Sequence, residues 1–321
     1  MKKVSIIMST YKTDLKILNE AIESILNQTY KNIELIIVCD GDVNEYNRLK
    51  KIEDSRVKVI LNEKNKGLPY SLNLAIEKST GEYIARMDSD DIATNDRIEK
   101  QVIFMEQHKN IGVCGTDAML FGDKNKKKKL YLNSTEQIKI QLLFRAVFIH
   151  PTIMARRAVF NKFKYNEKFR CAQDFELWSR IIEEYDMAII PIIGLKYRVH
   201  KEQASIEIKE EQARLSMETI KNNSKKITGA YDDKICETLY VLGGRKKISK
   251  ENCKEISKNI DYIIERNTKS QRYSQKDLKK VLYNRFFELV VKNKIFLLNF
   301  SIIKKCFRIY NIKEIIEVSR K

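Results

Sequence analysis

Three carboxylates, Asp88, Asp90 and Asp91, stand within four residues directly after the apolar run 83–87. An apolar run of that length reads as a buried strand. A helical segment follows from about Asp96. Carboxylates this close repel one another, and each resists desolvation unless a positive group sits among them. At the carboxyl end of a strand, in the crevice where open α/β sheets bind ligands, a divalent cation fits that need. Oxygen ligands suit Mg²⁺ or Mn²⁺, and these ions bridge to substrate phosphates. The same residues also fit an acidic, solvated turn that caps the next helix. The elements around them bear on that choice.

Residues 4–8 read as a first buried strand. Thr13 or Asp14 can cap a helix whose stripe, Leu15, Leu18, Ile22, Ile25 and Leu26, has helical spacing. Residues 33–39 form a second apolar strand that runs into Asp40-Gly41-Asp42, and residues 57–61 a third. Residues 68–78 are helical, and 83–87 is the fourth strand. Strands that are apolar on both faces and alternate with helices predict a parallel sheet wound with helices. A helix over 96–108, a strand over 112–121, an exposed lysine loop over 124–129 and a helix over 135–144 follow. After the break at His150-Pro151-Thr152, a helix over 174–184 turns Phe175, Leu177, Trp178, Ile181 and Ile182 inward, and a strand spans 188–193. From about Glu207 the pattern is helical with lysine-rich faces, as in 282–300 and 302–316. The domains are therefore read as 1–210, an α/β domain, and 211–321, an all-helical basic extension.

The 321 residues suffice for one large or two ordinary domains, and a hydrophobic content of 43% permits a sizeable core. Only 3 prolines and 10 glycines argue against long low-complexity segments. No signal peptide and no apolar stretch of about 18 residues is visible. The 6 cysteines are scattered without metal-binding spacing, which fits reduced thiols in a cytoplasmic protein. The net charge of +18 is uneven: residues 221–321 hold 25 Lys and Arg against 11 Asp and Glu. A polyanionic partner follows from that excess, whether an anionic membrane face, a phosphorylated acceptor or nucleic acid. A general bias toward Lys, Ile and Asn is the alternative source.

Several blocks occur in a telling order. They are Val4-Ser5-Ile6-Ile7-Met8-Ser9-Thr10-Tyr11, the strand from Glu34 to Gly41, Asn65-Lys66-Gly67-Leu68 with Ser71-Leu72-Asn73, and the stretch from Gly81 to Asp91. His150-Pro151-Thr152, Gln173-Asp174-Phe175-Glu176-Leu177-Trp178 and Tyr197-Arg198-Val199-His200 complete the series. Over about residues 3–205 the chain resembles the inverting nucleotide-sugar transferases of glycosyltransferase family 2. That resemblance implies a GT-A fold: a Rossmann-like wound mixed sheet, mostly parallel.

The resemblance also implies roles. Thr10, Tyr11, Asp40 and Asn65 lie where the base and ribose of the donor would sit, and Asp40 can accept from a uracil imide or a ribose hydroxyl. Turn formation with Gly41 is the other use of Asp40. Asp88 and Asp90 match the family's Asp-x-Asp, with Asp90 the direct ligand of Mn²⁺ or Mg²⁺ and Asp88 toward ribose and metal. His200 is a third ligand or a diphosphate contact. Asp174 is the general base that inversion requires, or else a helix N-cap. Asp91 and His150 fall on the acceptor side, and Arg86 and Arg97 brace carboxylates.

The implied reaction moves a hexose or N-acetylhexosamine from a UDP-sugar to a glycan or lipid-diphosphate acceptor, in bacterial surface polysaccharide synthesis. Amphipathic helices in 221–321 could lie on the anionic cytoplasmic leaflet or join copies of the chain into a homo-oligomer. A nucleotidyltransferase would show a glycine-rich basic loop after the first strand, which Ser9-Thr10-Tyr11-Lys12 is not. No zinc-finger spacing or aromatic RNA-binding block supports nucleic acid as the partner.

Overall fold

The computed structural model describes residues 1–122, 126–128, 134–199, 206–293 and 295. The chain divides into two compact units, Met1–Thr135 with Val147–Lys209, and Glu136–Ala146 with Glu210–Lys321.

In the first unit, β1 (Val4–Thr10), α1 (Leu15–Leu26), β2 (Ile33–Asp40), α2 (Val43–Leu49), β3 (Val57–Asn62), α3 (Leu68–Lys78) and β4 (Tyr83–Asp88) follow in turn. The short strand β5 (Ile92–Ala93), α4 (Arg97–Gln107), β6 (Ile111–Gly122) and β7 (Lys126–Lys128) come next. A 3₁₀ turn at His150–Thr152 leads to β8 (Met154–Arg156), α6 (Arg157–Lys162), α7 (Gln173–Ile181) and β9 (Asp186–Val199). The intervening α5 (Thr135–Gln141) feeds the second unit.

Among the described residues the sheet has nine strands in the order β3-β2-β1-β4-β8-β6-β9-β5, with β7 against β6. The longest ladders, β1 with β2 and β4, β2 with β3, and β6 with β9, are parallel. Short antiparallel pairs join β4 to β8, β8 to β6 and β5 to β9. The sheet is therefore mixed, as the family resemblance implies. Alternate residues of each strand point to opposite faces. Val4, Ile6, Met8, Leu35, Ile37, Cys39, Tyr83, Ala85 and Met87 share one core with Leu18, Ile22 and Ile25 of α1 and Ile98, Val102 and Met105 of α4. Arg86 and Asp88 fall on the other face, two residues apart and so side by side.

Two parts of the sequence reading need correction. The short helix α2 follows Asp42, whose side chain caps it by accepting from Glu45 N at 2.9 Å. Its seven residues are too few to show a helical stripe. The lysine run, read as a loop, contains β7, which pairs antiparallel with Ala118–Leu120 of β6. Of the two caps read for α1, Asp14 serves, accepting from Lys16 N and Ile17 N.

The second unit holds α8 (Ile206–Thr228), α9 (Asp233–Leu242), α10 (Lys250–Ser270) and α11 (Gln275–Lys292), with α8 beginning at the close of the first unit. Ile235, Leu239 and Leu242 of α9, Ile256, Ile260 and Ile263 of α10, and Leu278, Leu282 and Phe286 of α11 are buried. The segment 136–146 is tied to these helices: Asn223 Nδ2 donates to Leu142 O, and Ser274 N to Glu136 Oε1. The helix read at 302–316 lies outside the described residues.

Candidate active site

The chain runs outward from β1 to β2 and β3, then returns to β4 on the other side of β1. A wound sheet opens a crevice at such a reversal, at the carboxyl ends of the strands. Register lines up the ends: Ser9 pairs with Asp88, Thr10 with Cys39 and Asp40 with Asn62. The turn after β1 and the acidic turn after β4 therefore flank the switch point.

One carboxylate oxygen from each of Asp88, Asp90 and Asp91 lies within 4.8 Å of the others. Asp88 is ion-paired with the buried Arg86 guanidinium through both oxygens, at 2.7 Å from Nη1 and closer from Nη2. Burial still pushes the Asp88 carboxyl upward, helped by the charges of Asp90 and Asp174 against the pull of Arg86. Asp91 is 1% exposed. Its Oδ1 accepts from Arg198 N at 2.8 Å, while its Oδ2 is buried with no hydrogen-bond partner. Burial, with Asp88 and Asp90 nearby, raises it to about 8. An orphaned buried carboxylate oxygen is costly, and three hard oxygen donors converging on one point fit a divalent cation. The solvated-turn reading of Asp91 does not survive its burial.

Arginines hold this turn in place. Arg198 Nε donates to Asp90 O and Nη2 to Glu20, both at 2.7 Å, and its guanidinium lies 4.5 Å from the Phe121 ring. Arg97 is fully buried and donates to the carbonyls of Arg86 and Ile153. It thus braces the backbone at Arg86 and Ile153, and the Asp91 carboxylate acts on its charge.

On the first-strand side, Tyr11 is 46% exposed and Lys12 takes a left-handed φ of 54°, a strained conformation for a residue with a side chain. Glu45 of α2 holds that turn: its Oε1 accepts from Thr10 Oγ1 at 2.9 Å and Thr13 N at 3.2 Å. Thr13 Oγ1 in turn lies 2.9 Å from Ser89 Oγ, inside the Asp-x-Asp. Glu45 is 2% exposed, its Oε2 has no partner, and burial raises its pKa. Asp40 organises the neighbouring loop. Its Oδ1 accepts from Asn62 Nδ2 and Lys66 N and its Oδ2 from Gly67 N, all at 2.8 Å. Gly41 has φ +87°, and a Cβ there would stand 2.3 Å from Asn65 N, so only glycine lets this loop, with exposed Asn65, close onto the strand end.

Asp174 lies in the first turn of α7, after Ala172 in the left-handed region. Its charge is felt at both Asp88 and Tyr165, where it disfavours ionisation. His150 is buried, 2.7 Å from Tyr165 OH through Nε2, with its ring edge-on to Trp178. Burial and the charge of Arg86 hold it well below the ordinary imidazole range, hence neutral. Trp178 is fully buried, in line with a core role. His200 lies outside the described residues. Glu45 and Tyr165 are the site residues that sequence reasoning missed. Glu45 sits in a helix too short to detect, and Tyr165 in a stretch with no motif.

The Glycosyl transferase family 2 profile matches residues 5–164. The chain is 35% identical over 231 residues to an uncharacterized glycosyltransferase of Methanocaldococcus jannaschii, spanning 69% of this chain and 79% of that one. It is 36% identical over 192 residues to the O-antigen biosynthesis glycosyltransferase WbnJ of Escherichia coli, spanning 56% of this chain and 72% of the relative. Among solved structures, S. aureus TarS residues 1–349 superpose with a TM-score of 0.58 at 16% identity, covering 99% of this chain and 90% of that one. TarS structures also include complexes with UDP and with UDP-GlcNAc. The chain belongs to glycosyltransferase family 2.

Proposed function

We propose that the protein is a metal-dependent inverting transferase. It moves a hexose or N-acetylhexosamine from a UDP-sugar to a glycan or lipid-diphosphate acceptor in bacterial surface polysaccharide synthesis. The observation that carries this reading is the convergence of Asp88, Asp90 and Asp91 at the switch point, one oxygen buried and without a partner. The O-antigen relative supports the pathway class, and the UDP complexes of TarS support the donor class.

In this reading Tyr11 offers its exposed ring to the base, Thr10 and the Asp40-held loop with Asn65 shape the nucleoside site, and Asp88 faces the ribose. Asp90, with Asp88 and His200, would hold Mn²⁺ or Mg²⁺. When bound, the cation supplies charge to stabilise the departing diphosphate. Asp174 takes the proton of the acceptor hydroxyl as that oxygen attacks the anomeric carbon from the face opposite the leaving group. Asp91 and the neutral His150–Tyr165 pair shape the acceptor side.

Residues 221–321 serve peripheral attachment to the inner face of the cell membrane, or assembly of copies of the chain. No helix among the described residues is long and apolar enough to cross a membrane. Flotation with anionic liposomes tests attachment; equal recovery at low and high salt counts against it.

The reading is tested by UDP release from a panel of UDP- and GDP-sugars, with Mn²⁺ and then with EDTA. Mn²⁺-dependent turnover of one UDP-sugar is the expected result. No turnover together with no metal-dependent UDP binding would overturn it.

A further inference from the structure

Asn73 lies in the middle of α3, where asparagine is a poorer helix former than alanine or leucine. Its side chain reaches across the first unit instead. Nδ2 donates to Tyr165 O at 2.9 Å, and Oδ1 accepts from Tyr165 N at 3.0 Å. One side-chain amide thus takes both backbone groups of a residue 92 positions further on, as a neighbouring strand would. Nδ2 also donates to Glu167 Oε1 at 3.2 Å.

Residues 163–172 join α6 to α7. Asn73 pins this connection from α3, and Arg180 of α7 pins it through Nη2 at Lys164 O, 2.7 Å away. Arg180 is itself locked to Glu176 at 2.6 and 2.8 Å. The Tyr165 ring turns inward: it is buried, stacks on Phe160 and brings its hydroxyl 2.7 Å from His150 Nε2. His150 lies edge-on to Trp178, one helical turn beyond Asp174 in α7. The opposite side of α3 serves the donor. Gly67 N, at the helix start, donates to Asp40 Oδ2, and Ser71 Oγ accepts from Asn62 Nδ2, which also donates to Asp40. Ser71 and Asn73 stand two residues apart and so point to opposite sides of the helix.

We infer that Asn73 is a positioning residue: it holds the backbone of Tyr165 so that the Tyr165 hydroxyl fixes the His150 ring on the acceptor side. The acceptor-side role rests on the transferase reading; the link from Asn73 to His150 does not. A hydrogen bond tolerates little displacement, so freeing the Tyr165 backbone should part the hydroxyl from the imidazole. Asn73 makes no contact with the Asp40 loop, so donor binding should not depend on it.

The chain has 3 histidines, so nitrogen NMR of the histidine-labelled full chain resolves the His150 ring, assigned by its loss in His150→Gln. Tyr165→Phe, which removes the hydroxyl alone, should shift the His150 ring signals. Asn73→Ala should shift them in the same direction, and the double variant should match Tyr165→Phe, because both act through one hydrogen bond. In the UDP-sugar turnover assay, Asn73→Ala should lower kcat about tenfold and leave KM for the donor within about twofold. A role confined to stabilising α3 would do the reverse, loosening the Asp40 loop and raising KM with His150 unmoved. Should Asn73→Ala fail to fold, Asn73→Asp, which keeps the acceptor for Tyr165 N and loses both donated bonds, gives the same reading. Unshifted His150 signals, a shift that adds in full to that of Tyr165→Phe, or an intact kcat would overturn the inference. If wild type turns over no UDP-sugar, that failure belongs to the transferase reading, and the NMR cycle alone decides on Asn73.

Discussion

The acidic turn of the first unit and a set of arginines in the second, Arg145, Arg245 and Arg285, both crowd like charges into partly buried space. They differ in how the chain builds them. Asp88, Asp90 and Asp91 fall within four consecutive positions, so one β-strand end sets their spacing. The arginines at 145, 245 and 285 come from three separate elements and meet only through tertiary packing. The acidic turn has cations built around it, Arg86 in direct contact and Arg198 behind the backbone. Among the arginines, Arg285 pairs with Glu288, and Arg245 and Arg285 also donate to the carbonyl oxygens of Phe144 and Leu242. A charge cluster compact in sequence can thus be recognised without a structure, whereas one assembled across helices cannot.

The largest effects test the acidic side. Asp90→Asn should lower transfer on the order of a thousandfold and abolish metal-dependent UDP binding in an equilibrium assay. Asp174→Asn should lower turnover by about a hundredfold or more while leaving UDP affinity intact; near-normal turnover would remove Asp174 as the base. Gly41→Ala should cost about 2–4 kcal/mol in urea unfolding, because a side chain there meets the loop backbone in a positive-φ conformation.

Saturating Mn²⁺ should stabilise the native chain by about 1–3 kcal/mol and raise its melting temperature, and Asp90→Asn should erase the gain. Because Mn²⁺ has no carboxylate triad to bind among the arginines, the Arg145→Gln variant should keep it. If that variant lost the gain as well, the two clusters would not act separately.

Glu45→Gln should weaken UDP binding about tenfold, through the loosened turn at Lys12, with a smaller loss of stability. The smallest effect is acid sensitivity at Glu34. Burial raises that carboxyl, but hydrogen bonds from Ser5, Thr80 N and Lys3 outweigh it and hold it at about 2. A depressed folded-state pKa gives stability that is present above about pH 4.5 and is lost as pH falls toward 2. Glu34→Gln should flatten that part of a stability–pH curve.

Much of the first unit was legible because its core strands are continuous apolar runs and α1, α3 and α4 each run to ten or more residues. Helix α3 matches the predicted 68–78, and β4 continues by one residue into Asp88. β9 runs from Asp186 to Val199 where only 188–193 was read, since Gly194 and Lys196 interrupt the apolar pattern that its ladder with β6 sustains. In the site, the acidic turn and the Asp40-Gly41 turn carry their chemistry in adjacent residues. Glu45 and Arg198 act on partners 32 to 178 residues away, and no local spacing reports such a contact.

Arg198 also bears on the order in which the molecule becomes competent. Its backbone N–H and guanidinium reach Asp91 and Asp90 across 107 and 108 residues of chain. A nascent chain that has emerged only to the end of β6 already carries all three aspartates but lacks the strand that gives their turn its shape. Contacts of such sequence separation form late, after their loop-closure entropy has been overcome. The acidic turn should therefore be among the last parts of the first unit to acquire native geometry during synthesis, so that an incomplete chain displays the carboxylates without the means to use them.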